Sequence, residues 1–130
     1  MIDYNDLYQT ADWKKEKHTP IIEIIGEAKK AEPITIKAMV GKEITHPNTT
    51  EHHIRWIDIY FKPQGEKFPF QIGRCEFTAH GASTDGANTS TVHSEPELTV
   101  VIKTNKPGII FAESYCNIHG LWRNEMELKL

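Results

Sequence analysis

Residues 109–122 (IIFAESYCNIHGLW) begin as an apolar run and end in a turn that carries a thiol and an imidazole. The apolar start predicts a strand over 109–115 that delivers Cys116, and His119-Gly120 turns the chain. A turn at the end of a strand can direct Cys116 and His119 toward one point, and a thiolate with a neutral imidazole suits a transition metal. The alternative is a buried thiol beside a surface histidine, which is the commoner origin of Cys-x-x-His and stays open on this stretch alone.

Apolar, β-branched or alternating runs recur along the chain on both sides of this segment. Polar loops and turns rich in Pro, Gly and Asn separate them, and the arm at 1–15 is expected to be irregular or briefly helical. The sequence therefore predicts an all-β fold, an immunoglobulin-like antiparallel β-sandwich of about seven strands. The predicted strands are 20–27, 34–40, 54–62, 68–79, 98–103, 109–115 and 124–130.

Composition bounds the class of protein. The 130 residues fit one domain, 1–130, with room for a hydrophobic core. The net charge of −3 gives no broad basic face for nucleic acid, and no apolar run approaches the roughly 20 residues of a membrane span. The N-terminal segment has no signal-peptide core, so we expect a cytoplasmic protein in which Cys75 and Cys116 stay reduced.

The seven histidines are the unusual feature of the composition. Glu16 and His18 are two residues apart in a segment that should be extended, so both side chains face the same way; a solvated charged loop is the alternative. His46 lies in the polar loop 41–51. His52 and His53 open a strand, where successive side chains face opposite ways, so both should not reach one site.

Three other residues of metal-ligating type are given structural roles. His80 and His93 lie in the long polar loop 80–96 and are expected to be solvated. Cys75 lies within the predicted strand 68–79 and has no histidine within three residues. We therefore expect it to be a core or half-buried thiol.

Three segments resemble superoxide reductases of the single-iron kind, the neelaredoxins, which are related to the iron-binding domain of desulfoferrodoxins. They are residues 16–18 (EKH), 41–53 (GKEITHPNTTEHH) and 114–122 (SYCNIHGLW), and the resemblance covers nearly the whole chain, including 76–81 (EFTAHG). Thr45 stands where some relatives carry Pro. The four-cysteine, rubredoxin-like domain of the longer desulfoferrodoxins is absent.

The resemblance implies a mononuclear iron that alternates between Fe²⁺ and Fe³⁺, with ligands from the arm at 1–19. Glu16 would take the sixth position in the oxidised state and leave on reduction, and His53 is not a ligand. His119 would bind through Nδ1 and the other histidines through Nε2. Cys116 would bind axially as a thiolate, and four histidines would lie around the iron in a plane: His18, His46, His52 and His119.

By the same resemblance, the reaction is the one-electron reduction of superoxide, with two protons, to hydrogen peroxide without release of oxygen. Rubredoxin or a similar small electron carrier would return the iron to Fe²⁺. Lys17 is expected to lie near the open position, steer superoxide and stabilise developing negative charge, with a solvent-facing lysine as the alternative. The backbone N–H groups of Asn117 and Ile118 could hydrogen-bond the Cys116 sulfur. An exposed edge strand would favour a homodimer or homotetramer.

Three other functions stay open. An electron-transfer cupredoxin would use an upstream histidine, Cys116, His119 and Met126, but we expect Met126 to be a core residue and the histidines are too many. An immunoglobulin-like binding module without metal leaves the two specific motifs unexplained. Dismutase activity at the same iron would differ from the reductase in releasing oxygen.

Overall fold

Eight strands in two sheets and one short 3-10 helix, Tyr4–Asp6, make up the chain. The structure is a computed structural model that describes all residues from 1 to 130. No helix in it has the length and apolar character needed to cross a membrane. The strands are β1 (Tyr8–Gln9), β2 (Ile21–Ile25), β3 (Ile34–Met39), β4 (Ile54–Pro63), β5 (Phe70–Glu76), β6 (Glu97–Ile102), β7 (Gly108–Cys116) and β8 (Gly120–Leu128).

The larger sheet has the order β1-β8-β7-β4-β5, and the smaller sheet has the order β2-β3-β6. All neighbours are antiparallel except β1, which runs parallel to β8. β7 lies at the centre of the larger sheet, and its last residue, Cys116, pairs with Ile54 on one side and Gly120 on the other. The end of this central strand is therefore fixed by both of its neighbours.

The core lies between the two sheets and consists largely of β-branched side chains. Ile36 of β3, Ile57 and Ile59 of β4 and Ile110 of β7 are fully buried. Burial of each such side chain stabilises the fold by about 1.5–3 kcal/mol. On β7, burial alternates with a period of two through Ile110, Ala112, Ser114 and Cys116, so the thiol points inward like the core residues that precede it.

The predicted all-β sandwich is confirmed, and each of the seven predicted strands has a counterpart. The last strand begins at Gly120 rather than at residue 124, because the hairpin after Cys116 pairs Cys116 with Gly120 directly. β1 was not predicted, since two paired residues leave no pattern in the sequence. The brief helix Tyr4–Asp6 agrees with the expectation for the arm.

Candidate metal centre

Four side chains from distant parts of the chain converge where the β7–β8 hairpin meets the arm. His119 Nδ1 lies 3.0 Å from His18 Nε2, 3.2 Å from His52 Nε2 and 3.8 Å from Cys116 Sγ. One ligand atom from each of these four residues lies within 4.8 Å of the others. One thiol sulfur and three imidazole nitrogens thus face a common point, as a transition-metal site requires.

His46 supplies a fifth donor. Its ring centroid lies 4.8 Å from that of His18 and 4.6 Å from that of His52. Its Nδ1 lies 2.7 Å from the Pro47 carbonyl oxygen and donates to it, whereas Nε2 is buried and has no hydrogen-bond partner. A buried nitrogen without a partner is costly, and a bound metal would satisfy it. The residues present therefore fit a metal with five nitrogen and sulfur ligands.

The arm is held against the central strand at His18. The Ser114 hydroxyl, which is fully buried on β7, donates to the His18 carbonyl oxygen over 3.2 Å. The Trp122 ring stacks on the His18 ring with centroids 4.9 Å apart, and its Nε1 donates to the His119 carbonyl. Ser114 and Trp122 belong to the 114–122 motif, but no pattern in the sequence indicated a role for either; both orient candidate ligands.

Glu16 contacts the Nδ1 side of the His18 ring. Its Oε1 lies 2.5 Å from His18 Nδ1, and its Oε2 accepts the backbone N–H groups of His18 and Thr19. Burial raises the pKa of Glu16, but the hydrogen bonds from His18 and Thr19 more than offset this and bring it below the ordinary value. The carboxylate is thus turned away from the other donors. Its role as a sixth ligand stays a prediction.

The loop between β3 and β4 presents His46 and His52. Gly41 has φ +93°, and a Cβ on it would lie 2.8 Å from the His46 backbone nitrogen, so only glycine fits there without strain. Thr49 closes the loop further on, because its N–H donates to the His52 carbonyl and its hydroxyl accepts the His52 N–H. No spacing rule in the sequence indicated the close approach at Gly41.

Burial and neighbouring positive charge keep two of these imidazoles neutral. Burial lowers the pKa of His46 to about 4, with smaller contributions from His18, His52 and Lys17. Burial also lowers the pKa of His52, with added contributions from His119, His18 and Lys17. A neutral imidazole is the form that binds metal. Lys17 is half-buried and contributes to lowering the pKa of both rings, and its role beside the cluster stays a prediction.

The hydrogen bond to the Cys116 thiol comes from a different residue than expected. The backbone N–H of Asn117 donates to the His53 carbonyl, where β4 and β7 pair, and so does not reach the sulfur. The hydrogen bond to Cys116 Sγ comes instead from the His119 N–H, over 3.4 Å. His53 points away from the cluster, and its Nδ1 donates to the Thr49 carbonyl.

Four further expectations can be compared with the structure. Cys75 is a free, half-buried thiol packed against the core, and His93 is exposed, as predicted. His80 is not solvated, because its ring stacks on the buried His53. Met126 is 37% exposed rather than a core residue, since β8 has only the two-residue β1 on its outer edge.

Fold and site together define a β-sandwich protein with a cluster of histidine and cysteine side chains that could hold a metal. The family model described as desulfoferrodoxin matches residues 10–125. The chain therefore belongs to the desulfoferrodoxin family, and the resemblance noted from the sequence is confirmed.

Proteins named superoxide reductase or neelaredoxin match this chain over almost the whole length of both chains. A superoxide reductase of Pyrococcus furiosus is 55% identical over 96% of this chain and 98% of its own length. A neelaredoxin of Megalodesulfovibrio gigas is 50% identical over 96% of both chains. The solved structure of the reduced superoxide reductase (neelaredoxin) of Archaeoglobus fulgidus superposes with a TM-score of 0.90, at 56% identity over 95% of this chain and 99% of that chain.

Proposed function

We propose that this protein is a superoxide reductase, which reduces superoxide with one electron and two protons to hydrogen peroxide. The observation that carries the proposal is the convergence of one thiol and three imidazoles from segments up to about 100 residues apart, with the buried His46 ring beside them. Relatives at 50–55% identity that bear the names superoxide reductase and neelaredoxin support it. The whole chain, 1–130, acts as one iron-binding domain, with ligands from the arm at 1–19.

The donor set favours iron over a structural zinc. Zinc in structural sites is satisfied by four ligands in a tetrahedron, whereas this site offers five: His18, His46, His52, Cys116 and His119. One-electron chemistry between Fe²⁺ and Fe³⁺ is what a bound iron would supply here. The fifth donor and the mixed nitrogen and sulfur set are the features of this chain that fit it.

The residues around the donors prepare them to bind. Glu16 holds the proton of His18 on Nδ1, and the Pro47 carbonyl holds that of His46 on Nδ1. Each contact leaves the Nε2 lone pair free and fixes the orientation of the ring. The His119 N–H donates to the sulfur of Cys116 and fixes its orientation.

Lys17 provides positive charge beside the site. Its influence on the pKa of His46 and of His52 supports a position from which it attracts the superoxide anion. Glu16 supports His18, and would be available to hold a bound iron as a sixth ligand only if its hydrogen bonds to His18 and Thr19 broke. A rubredoxin-like carrier supplies the electron, and the protein works as a cytoplasmic homo-oligomer.

Oxygen balance tests the reaction. Protein loaded with Fe²⁺ and supplied with a reductant should consume superoxide and form hydrogen peroxide without releasing oxygen. Cys116→Ser should abolish this activity, and Cys75→Ser, which alters the other free thiol, should leave it intact. Release of about one oxygen for every two superoxide ions would indicate a dismutase. Loss of activity in both variants to the same extent would contradict the assignment of Cys116.

A further inference from the structure

His80 is a half-buried histidine outside the metal centre that makes contacts through both ring nitrogens and one ring face, and the mechanism above does not use it. Its ring stacks face to face on His53, with centroids 3.6 Å apart and planes within 7°. Its Nδ1 lies 2.8 Å from Asn48 Oδ1 and its Nε2 lies 2.6 Å from the Phe77 carbonyl oxygen. One ring thus contacts residues near both His46 and His52.

Both oxygen partners of His80 are fixed as acceptors. The Asn48 amide donates from Nδ2 to the Ser94 carbonyl, so Oδ1 must be the atom that faces the His80 ring. Phe77 is buried, and its own N–H donates to the Arg55 carbonyl on β4. Neither oxygen can donate, and burial lowers the pKa of His80, so the neutral ring donates its single N–H to one of the two oxygens and contacts the other through its second nitrogen. The ring is therefore anchored to β4 through Phe77 and reaches out to the loop.

His53 connects the His80 ring to the 46–53 loop, which carries His46 and His52. It is buried, its N–H donates to the Asn117 side chain, and its Nδ1 donates to the Thr49 carbonyl. A shift of the His53 ring would move Thr49, to which it is hydrogen-bonded, and His52, which precedes it in the sequence. Likewise, Asn48 lies two residues after His46 and shares its loop.

We propose that His80 is a positioning residue for the metal centre, and that its ring holds the 46–53 loop in the geometry that presents His46 and His52. The face of the ring restrains His53, and its edge restrains Asn48. His80 contacts neither ligand and acts through the loop. The inference rests on the ligand set proposed above, in which both histidines bind the metal.

The test compares two variants with a matched control. His80→Ala removes the ring, and His80→Phe keeps an aromatic ring on His53 but removes both ring nitrogens. His93→Ala changes the exposed histidine that pairs with His80 in an isolated β-bridge. Each purified, metal-free protein is titrated with Co²⁺ alone, whose thiolate and imidazole complexes absorb in the visible range. Hydrogen exchange of the metal-free proteins is measured in parallel.

Co²⁺ affinity should fall about 10–100-fold in both His80 variants, as is usual when a residue supporting a ligand is lost, and should stay unchanged in His93→Ala. Amides at 46–53 should exchange faster than in the natural sequence, while those of β4 and β7 keep their protection. Unchanged affinity, an even rise in exchange across the sandwich, or unfolding of both His80 variants would overturn the proposal. Failure of the natural protein to bind Co²⁺ would refute the ligand set instead, and the exchange data would still decide on the loop.

Discussion

Acidification of the metal-free protein should lower its stability through His46. Burial is the main cause that lowers the pKa of this imidazole from 6.5 to about 4 in the folded chain. The unfolded chain therefore takes up the proton first, and the folded state is penalised as the pH falls from 6.5 toward 4. At about 1.4 kcal/mol for each pH unit between these two pKa values, the full penalty is about 3.5 kcal/mol, of which about 3 kcal/mol is reached at pH 4.

Urea unfolding of the metal-free protein at about pH 7.5 and about pH 4 measures this loss. The control is His46→Gln, which cannot take up the proton but keeps a polar side chain of similar length. The natural protein should lose about 3 kcal/mol more than the variant between the two pH values. Equal losses in the two proteins would refute the reasoning, because the buried imidazole would then carry no penalty for its charge.

Three further substitutions test particular contacts. Ser114→Ala should lower the free energy of unfolding by about 1–2 kcal/mol, because the buried hydroxyl that donates to His18 is lost; an unchanged urea midpoint would contradict this. Gly41→Ala should cost about 1–3 kcal/mol and also weaken Co²⁺ binding, since its Cβ meets the His46 backbone. Gly65→Ala, with a similar φ and open space, should strain the chain without changing Co²⁺ affinity. Lys17→Ala should slow the second-order reaction with superoxide at low salt, with the difference from the natural protein closing at high salt; Lys15→Ala, changed at an exposed position, is its control.

The strands could be predicted because alternation of apolar side chains records the two faces of a sheet. Ile34 and Ile36 on β3 and Ile110 and Ala112 on β7 are buried at a period of two, as the sequence pattern indicates. β1 could not be predicted, because two residues hold no period. The exposure of Met126 depends on which strands flank β8, and no local pattern encodes that.

The sequence motifs identified the candidate ligands, but they did not identify the contacts that hold those ligands in place. The role of Glu16 as a ligand of the oxidised state stays a prediction, but its bonds to His18 and Thr19 could not be predicted, since extended spacing does not fix the rotamer. His80 was expected to be solvated because it begins a polar loop. Its contacts, Asn48 and His53, are 32 and 27 residues away in the sequence, and only the folded chain brings them together.

The most direct test of the account is elemental analysis of protein purified without added metal. The account predicts about one iron per chain in the natural sequence and in Cys75→Ser, and almost none in Cys116→Ser, because the thiolate is one of only five donors. One copper per chain would favour an electron-transfer protein. Absence of bound metal, together with no uptake of Fe²⁺ under anaerobic conditions, would contradict the proposed centre.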